Sequence, residues 1–282
     1  METVAIFGVG LIGGSFALAL RKAGYSGRIL GVGPPEIIAR ALELKAIDEG
    51  AAACDAAASA DLIYLAEPIL RIVEMLPQLN EWVRPETLIT DAGSTKQVIV
   101  ERAGATLSRC QFLGGHPLAG SERRGVESAQ AELFEQRPYV LTPLAESEMK
   151  TPAASELYQW IQRIGAYPIV LNAQRHDQVV AYTSHLPQLA STALASMLDH
   201  RTEAVFGIFG PGLVDSTRLA LSSYDVWGDI LATNSAAIHD ALRSYIVKLE
   251  EFSLSLEPAR MREQFAEAAR FAAGIRGPSE AP

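Results

Sequence analysis

Cysteine is nearly absent: the chain of 282 residues holds two, Cys54 and Cys110. Two are too few for a disulfide framework, and neither stands at the spacing of a zinc motif. A reducing cytoplasm is the expected compartment. Basic residues are also short, 24 Lys and Arg against 33 Asp and Glu for a net charge of -9, with no basic run. That argues against a nucleic-acid or anionic-membrane partner. No apolar stretch approaches the roughly twenty residues of a membrane span. The N-terminus starts at once on a strand pattern, Thr3-Val4-Ala5-Ile6-Phe7, where a signal peptide would carry a basic segment and an apolar run. Repeats and low-complexity segments are missing as well. What is present is a hydrophobic fraction of 49%, enough for a sizeable core, over a length that suggests about two domains.

Strand and helix patterns alternate through the first half. Strands are expected at residues 4–7, 28–32, 61–66, 88–90, 110–113 and 167–171, and helices at 15–22, 36–44 and 69–80. This rhythm predicts right-handed crossovers and a parallel sheet. A further helix is well marked: Thr151 as cap, Pro152 in the first turn and Gly165 as stop, with Leu157, Ile161 and Ile164 on one face. Beyond about residue 173 helical patterns dominate, over 177–201, 214–221, 226–252 and 259–273. The expected organisation is a first domain over 1–173 and an all-helical second domain over 174–282.

Gly8-Val9-Gly10-Leu11-Ile12-Gly13 follows the first strand and opens a helix. That context turns G-x-G-x-x-G into a dinucleotide-binding signature. Gly8 permits the tight turn, Gly10 lets backbone approach a pyrophosphate, and Gly13 lets helix pack on strand. Leu11 and Ile12 sit at the helix N-terminus, where free N–H groups favour an anion. The fold class expected is α/β, a Rossmann-type parallel-sheet domain followed by an all-α domain. The second strand says less about the cofactor. Gly33 stands where an acid usually binds the adenosine ribose, and the nearest carboxylate, Glu36, lies past two prolines. NAD or NADP therefore both fit, with NAD preferred.

Four other segments carry polar chemistry. Thr90-Asp91-Ala92-Gly93-Ser94-Thr95-Lys96 puts a hydroxyl and an ammonium at a strand end on the same edge as the glycine loop; Ser94 or Asp91 could equally cap a helix. Gly114-Gly115-His116-Pro117-Leu118-Ala119-Gly120-Ser121-Glu122 cannot be a helix interior, which places His116 at the end of the 110–113 strand. Ser184-His185-Leu186-Pro187-Gln188 interrupts an apolar helical face, and Pro187 predicts a kink. Asp215 and Arg218 lie three apart, suited either to a local helix ion pair or to an arginine aimed at a substrate carboxylate.

Together, and in this order, these motifs resemble the prephenate and arogenate dehydrogenase family of tyrosine biosynthesis. Asp91 to Lys96, Gly115 to Glu122, Ser184 to Pro187 and Thr217-Arg218-Leu219-Ala220 carry the likeness, with Leu133 to Leu141 as support. The resemblance implies oxidation of prephenate, or of its amino analogue arogenate, with loss of carbon dioxide and hydride transfer to a nicotinamide. It implies that neutral His116 draws off the ring hydroxyl proton and that Ser94 bonds the same hydroxyl or orients His116. Arg218, His185 and Ser121 would bind substrate, and the helical half would form a homodimer. Asp215 and Trp227 also fall on family-like positions. Gly33, Glu67 in Ala66-Glu67-Pro68, and Gln188 depart from the pattern. Glu67 would face a cofactor ribose or solvent, and Gln188 stands where relatives carry a second histidine near the substrate side chain. A β-hydroxy-acid dehydrogenase would need a lysine in the helical domain, and Lys248 is the sole lysine after Lys150. A dinucleotide sensor without chemistry is the remaining alternative.

Overall fold

The computed structural model describes residues 1–120, 123–199 and 207–276. Ser121 and Glu122 of the histidine motif lie outside the described residues, as does the end of the helix expected over 177–201.

The first half alternates as its sequence pattern requires. In chain order the elements are β1 Thr3–Phe7, α1 Leu11–Lys22, β2 Arg28–Val32, α2 Pro35–Glu43, β3 Glu49–Gly50, α3 Ala53–Ser59, β4 Leu62–Leu65 and α4 Ile69–Trp82. They continue with β5 Leu88–Asp91, α5 Gln97–Thr106, β6 Gln111–Pro117, β7 Pro138–Pro143, α6 Pro152–Arg163 and β8 Tyr167–Val170. The strands form one sheet in the order β3-β2-β1-β4-β5-β6-β7-β8. Val4, Ile6, Ile63, Tyr64 and Ile89 are fully buried, the mark of strands covered on both faces. Phe16 of α1 stacks on Tyr64 of β4 at a centroid distance of 3.9 Å. Thr151 caps α6 by accepting from the Ala154 N–H at 3.2 Å, and Gly165 leaves that helix with φ +85.

Two expectations need correction. The sheet is parallel except at one joint, where β6 runs antiparallel to β7. The 110–113 strand also runs on to Pro117, so His116 lies inside β6 opposite Val140. The glycines allow this pairing. A Cβ at Gly114 would stand 2.2 Å from Thr142 Oγ1, and one at Gly115 2.5 Å from the Asp91 carbonyl oxygen. Only glycine lets β5 and β7 close on this segment.

The helical part comprises α7 Ala173–Val180, α8 Leu186–Asp199, α9 Pro211–Thr217, α10 Tyr224–Thr233, α11 Ser235–Leu254 and α12 Pro258–Arg276. Between α7 and α8, Ala181–His185 is a single π-helical turn. The wider turn accommodates Pro187, which offers no N–H to the preceding turn. By compactness the chain divides into Met1–Ile238 and His239–Pro282. The first unit extends past residue 173 because α7 is bonded into the sheet domain: the Asp177 carboxylate accepts the N–H groups of Lys96 and Gln97. In the second unit, Leu254, Leu256, Phe265, Phe271 and Ile275 are exposed. Among the described residues no helix is long and apolar enough to cross a membrane.

Candidate active site

Strands β1, β4, β5 and β6 end on one edge of the sheet, with the connection reversing between β1 and β4. This is the switch point at which open α/β sheets bind ligands. The glycine loop leaves β1 there. Gly8 has φ +86, and a Cβ on it would meet the Ala66 carbonyl oxygen at 2.5 Å. At Gly13 a Cβ would meet the Gly8 carbonyl oxygen at 2.2 Å, whereas at Gly10 it would meet nothing within 4 Å. So Gly8 and Gly13 serve packing, and Gly10 opens space beside the backbone. Gly10 is the N-cap of α1 without any side-chain cap. The first helical bond runs from the Gly14 N–H to the Gly10 carbonyl, so the N–H groups of Leu11, Ile12 and Gly13 precede it and suit a phosphate. These residues fit a dinucleotide. Gly33 follows β2, exposed, with only Ile38 near the position of a Cβ. Glu67 lies against the loop, its Cδ 3.1 Å from where a Gly8 Cβ would be, and half-burial raises its pKa. Among the described residues no cluster suits a metal ion.

Beneath this edge lies a buried polar network. Asp91 and Lys96 are both fully buried and ion-paired. The Lys96 ammonium also donates to the Gly115 carbonyl at 2.7 Å. Asp91 accepts the Gly115 N–H at 3.0 Å and the Gly93 N–H at 2.8 Å. Gly115, the residue before His116, is thus held at both its N–H and its carbonyl by one ion pair. His116 Nδ1 lies 2.8 Å from His176 Nε2, and His176 Nδ1 lies 2.7 Å from Asp177 Oδ1. Asn234 donates to the Asp177 carbonyl at 2.8 Å and lies 3.3 Å from His185 Nδ1. Burial, then the neighbouring His176, Lys96 and His185, hold His116 well below the usual histidine pKa. His176 is lowered by burial against the pull of Asp177. Burial brings His185 down to about 4. At neutral pH His116 is therefore an uncharged base.

A cleft of about 540 Å³ opens beside the glycine loop, lined by Gly10, Leu11, Ile12, Ser94, Gly120 and Trp227, among others. Its volume suits a small ligand. Ser94 lines this wall and makes no hydrogen bond to His116 among the described residues; His176 holds that ring instead. The helix-cap reading of Ser94 and Asp91 is also displaced, since Asp177 caps α5 from across the fold. His185 is buried behind the cleft, edge-on to Trp227 at 5.8 Å. Arg218 begins the short 3-10 turn Arg218–Leu221 after α9 and is exposed. Among the described residues it pairs neither with Asp215 nor with His116. Gln188, expected near the substrate side chain, is buried and donates to the Leu219 carbonyl at 2.7 Å. With Ser191, which accepts the Ala220 N–H, it ties the Arg218 turn to α8. His176 and Asp177 are functional candidates that sequence reasoning missed. They lie in a plain helical stretch sixty residues from His116, and no local spacing marks them.

Residues 16–170 match the family model described as prephenate dehydrogenase, nucleotide-binding domain, and residues 172–271 match the prephenate dehydrogenase dimerization domain. The prephenate dehydrogenase of Bacillus subtilis (strain 168) is 34% identical over 264 residues, 91% of this chain and 70% of that protein. A solved prephenate dehydrogenase from A. aeolicus, in complex with hydroxyphenyl propionate and NAD+, shares the fold at a TM-score of 0.84 and 31% identity, covering 98% of this chain and 96% of that one. A Synechocystis arogenate dehydrogenase aligns at a TM-score of 0.77 and 28% identity, over 98% of both chains. With both halves matched in order by the two domains of one family, the chain belongs to the prephenate dehydrogenase family.

Proposed function

We propose that this chain is a prephenate dehydrogenase, oxidising prephenate with NAD or NADP to 4-hydroxyphenylpyruvate and carbon dioxide. The observation that carries the reading is His116: a buried, neutral imidazole with one ring nitrogen tied to His176 and the other free of hydrogen bonds from the described residues. It stands on the sheet edge that also bears the glycine loop. Gly8, Gly10, Leu11, Ile12 and Gly13 would hold the cofactor's pyrophosphate, and Gly33 and Glu67 would lie toward its ribose. Bound there, the cofactor supplies the hydride acceptor. The protein's task is alignment and proton handling, since aromatisation drives the reaction. His116 Nε2 takes the proton of the ring hydroxyl as hydride leaves the same carbon. Ser94, on the cleft wall, donates to or accepts from that hydroxyl. Arg218 and Ser121 bind the substrate's polar groups, and His185 supports the pocket through Trp227.

The neighbouring arogenate dehydrogenase keeps arogenate as the alternative substrate. The matched segments meet between residues 170 and 172, which supports a boundary near 173. The second family model, named for dimerization, supports a homodimer through the helical part, readable as a doubled mass by light scattering. The deciding assay is cofactor reduction, followed by absorbance, with prephenate or arogenate and NAD or NADP. Turnover with prephenate is expected, and a chain inert in all four combinations is no such enzyme.

A further inference from the structure

Asp177, His176 and His116 form a chain whose hydrogen-bond directions can be worked out from one end. Asp177 accepts the Lys96 N–H at 2.7 Å on Oδ1 and the Gln97 N–H at 2.9 Å on Oδ2. Both oxygens face backbone donors, so the carboxylate acts as an acceptor. His176 Nδ1, 2.7 Å from Oδ1, must then donate. A neutral imidazole carries one proton, so His176 Nε2 is left with a lone pair. That lone pair faces His116 Nδ1 at 2.8 Å. His116 Nδ1 must therefore carry the proton, and His116 Nε2 must be bare.

We infer that His176, set by Asp177, is a positioning residue that fixes His116 as the tautomer with a free Nε2. The inference deepens the proposed function and rests on its reading of His116 as the base. Without an acceptor at Nδ1, the proton can settle on Nε2, and such a ring cannot accept the substrate proton there. The relay is built on rigid parts. His116 lies within β6, and His176 and Asp177 lie in the first turns of α7. All three are buried. Asn234 further anchors the backbone of Asp177. A charged His176 would reverse the direction of the His116 bond. Burial, together with nearby Lys96, opposes that charge. When His116 takes up the substrate proton it becomes an imidazolium, and its Nδ1–H still points at the His176 lone pair. The new charge is thus met by a hydrogen bond and, one ring further, by a carboxylate.

The test is nitrogen-15 NMR of the full-length protein labelled at histidine, with His116→Ala used to assign the ring. At neutral pH the wild type should show His116 protonated on Nδ1 and pyridine-like at Nε2. In His176→Leu the proton should move wholly or partly to Nε2, and kcat should fall about 10- to 100-fold. KM and the cofactor Kd should stay close to wild type. His176→Gln places an amide oxygen near the lost Nε2, so it should keep the tautomer and most of kcat. A wild-type His116 protonated on Nε2 overturns the inference, as does a His176→Leu protein with unchanged tautomer and kcat. Should that variant not fold, the wild-type spectrum decides alone. The spectrum needs no substrate. If His116→Ala kept full turnover, the reading of His116 as base would fail while the tautomer result stood.

Discussion

Replacing Lys96 by Met tests whether the buried Asp91–Lys96 pair holds His116 in place. Both side chains are at 0% exposure. The methionine fills much the same volume and leaves the Asp91 carboxylate with two backbone donors, Gly93 and Gly115, and no cation. Removing one partner of a buried pair costs about 3–5 kcal/mol. For a chain of this size each kcal/mol is worth about 2–4 °C in Tm, so the loss should be about 6–20 °C. Asp91→Asn alone leaves Lys96 as the uncompensated charge and should cost a similar amount. The double variant has no buried charge, so its loss should be smaller than the sum of the two singles by about 1–3 kcal/mol. Thermal unfolding followed by circular dichroism gives all three values. Turnover adds a second reading, because the Gly115 carbonyl loses its Lys96 donor and His116 is the next residue. The Lys96→Met protein should lose kcat at a temperature where it remains folded. A Tm within about 2 °C of wild type, or additive singles, would refute the assigned role of the pair.

Other expectations follow from the same geometry. His116, His176 and His185 are all neutral and buried, with pKa values below the ordinary 6.5. Above that pH neither state is protonated. Below it the unfolded chain takes up protons first, so stability falls with pH until the folded values are passed, by about 1.4 kcal/mol per proton per pH unit. Urea midpoints should drop between pH 7 and pH 5, and a flat profile would contradict the burial of these rings. Gly8→Ala puts a Cβ 2.5 Å from the Ala66 carbonyl at φ +86; cofactor affinity should fall at least about tenfold with some loss of stability. An unaltered cofactor Kd by fluorescence titration would remove the glycine turn from the site. Arg218 is exposed and has no ion pair among the described residues, so Arg218→Ala should leave Tm unchanged. It should raise KM about 10- to 100-fold, the worth of a charge-assisted hydrogen bond; an unchanged KM would return Arg218 to the surface.

How much of this was legible in the sequence depended on how local the signal was. The glycine loop announces itself because its three glycines, strand and helix are contiguous. Six strands of the sheet follow from short apolar runs bounded by breakers. β3 has two residues, and the alanine-rich α3 has no apolar face to give a period, so neither stood out. β7 was visible only as a family-like segment, and its antiparallel pairing was not. That pairing depends on which glycines of β6 let Thr142 and the Asp91 backbone approach, a tertiary fact. The site divides the same way. His116, Ser94 and the glycines sit in motifs. His176 and Asp177 sit in an ordinary stretch of helix, and only the docking of α7 on α5 brings them to His116. Gln188 stands out by its position in the motif, but its partner, the Leu219 carbonyl, lies in a turn thirty-one residues on and no local pattern marks it.

The most direct test of the account is the turnover of prephenate by the His116→Ala protein, measured beside its cofactor Kd. Loss of a general base should lower kcat by about 10²–10⁴-fold, with cofactor binding near wild type, since the glycine loop is untouched. Near wild-type turnover with intact cofactor binding would contradict the central claim that His116 accepts the substrate's proton.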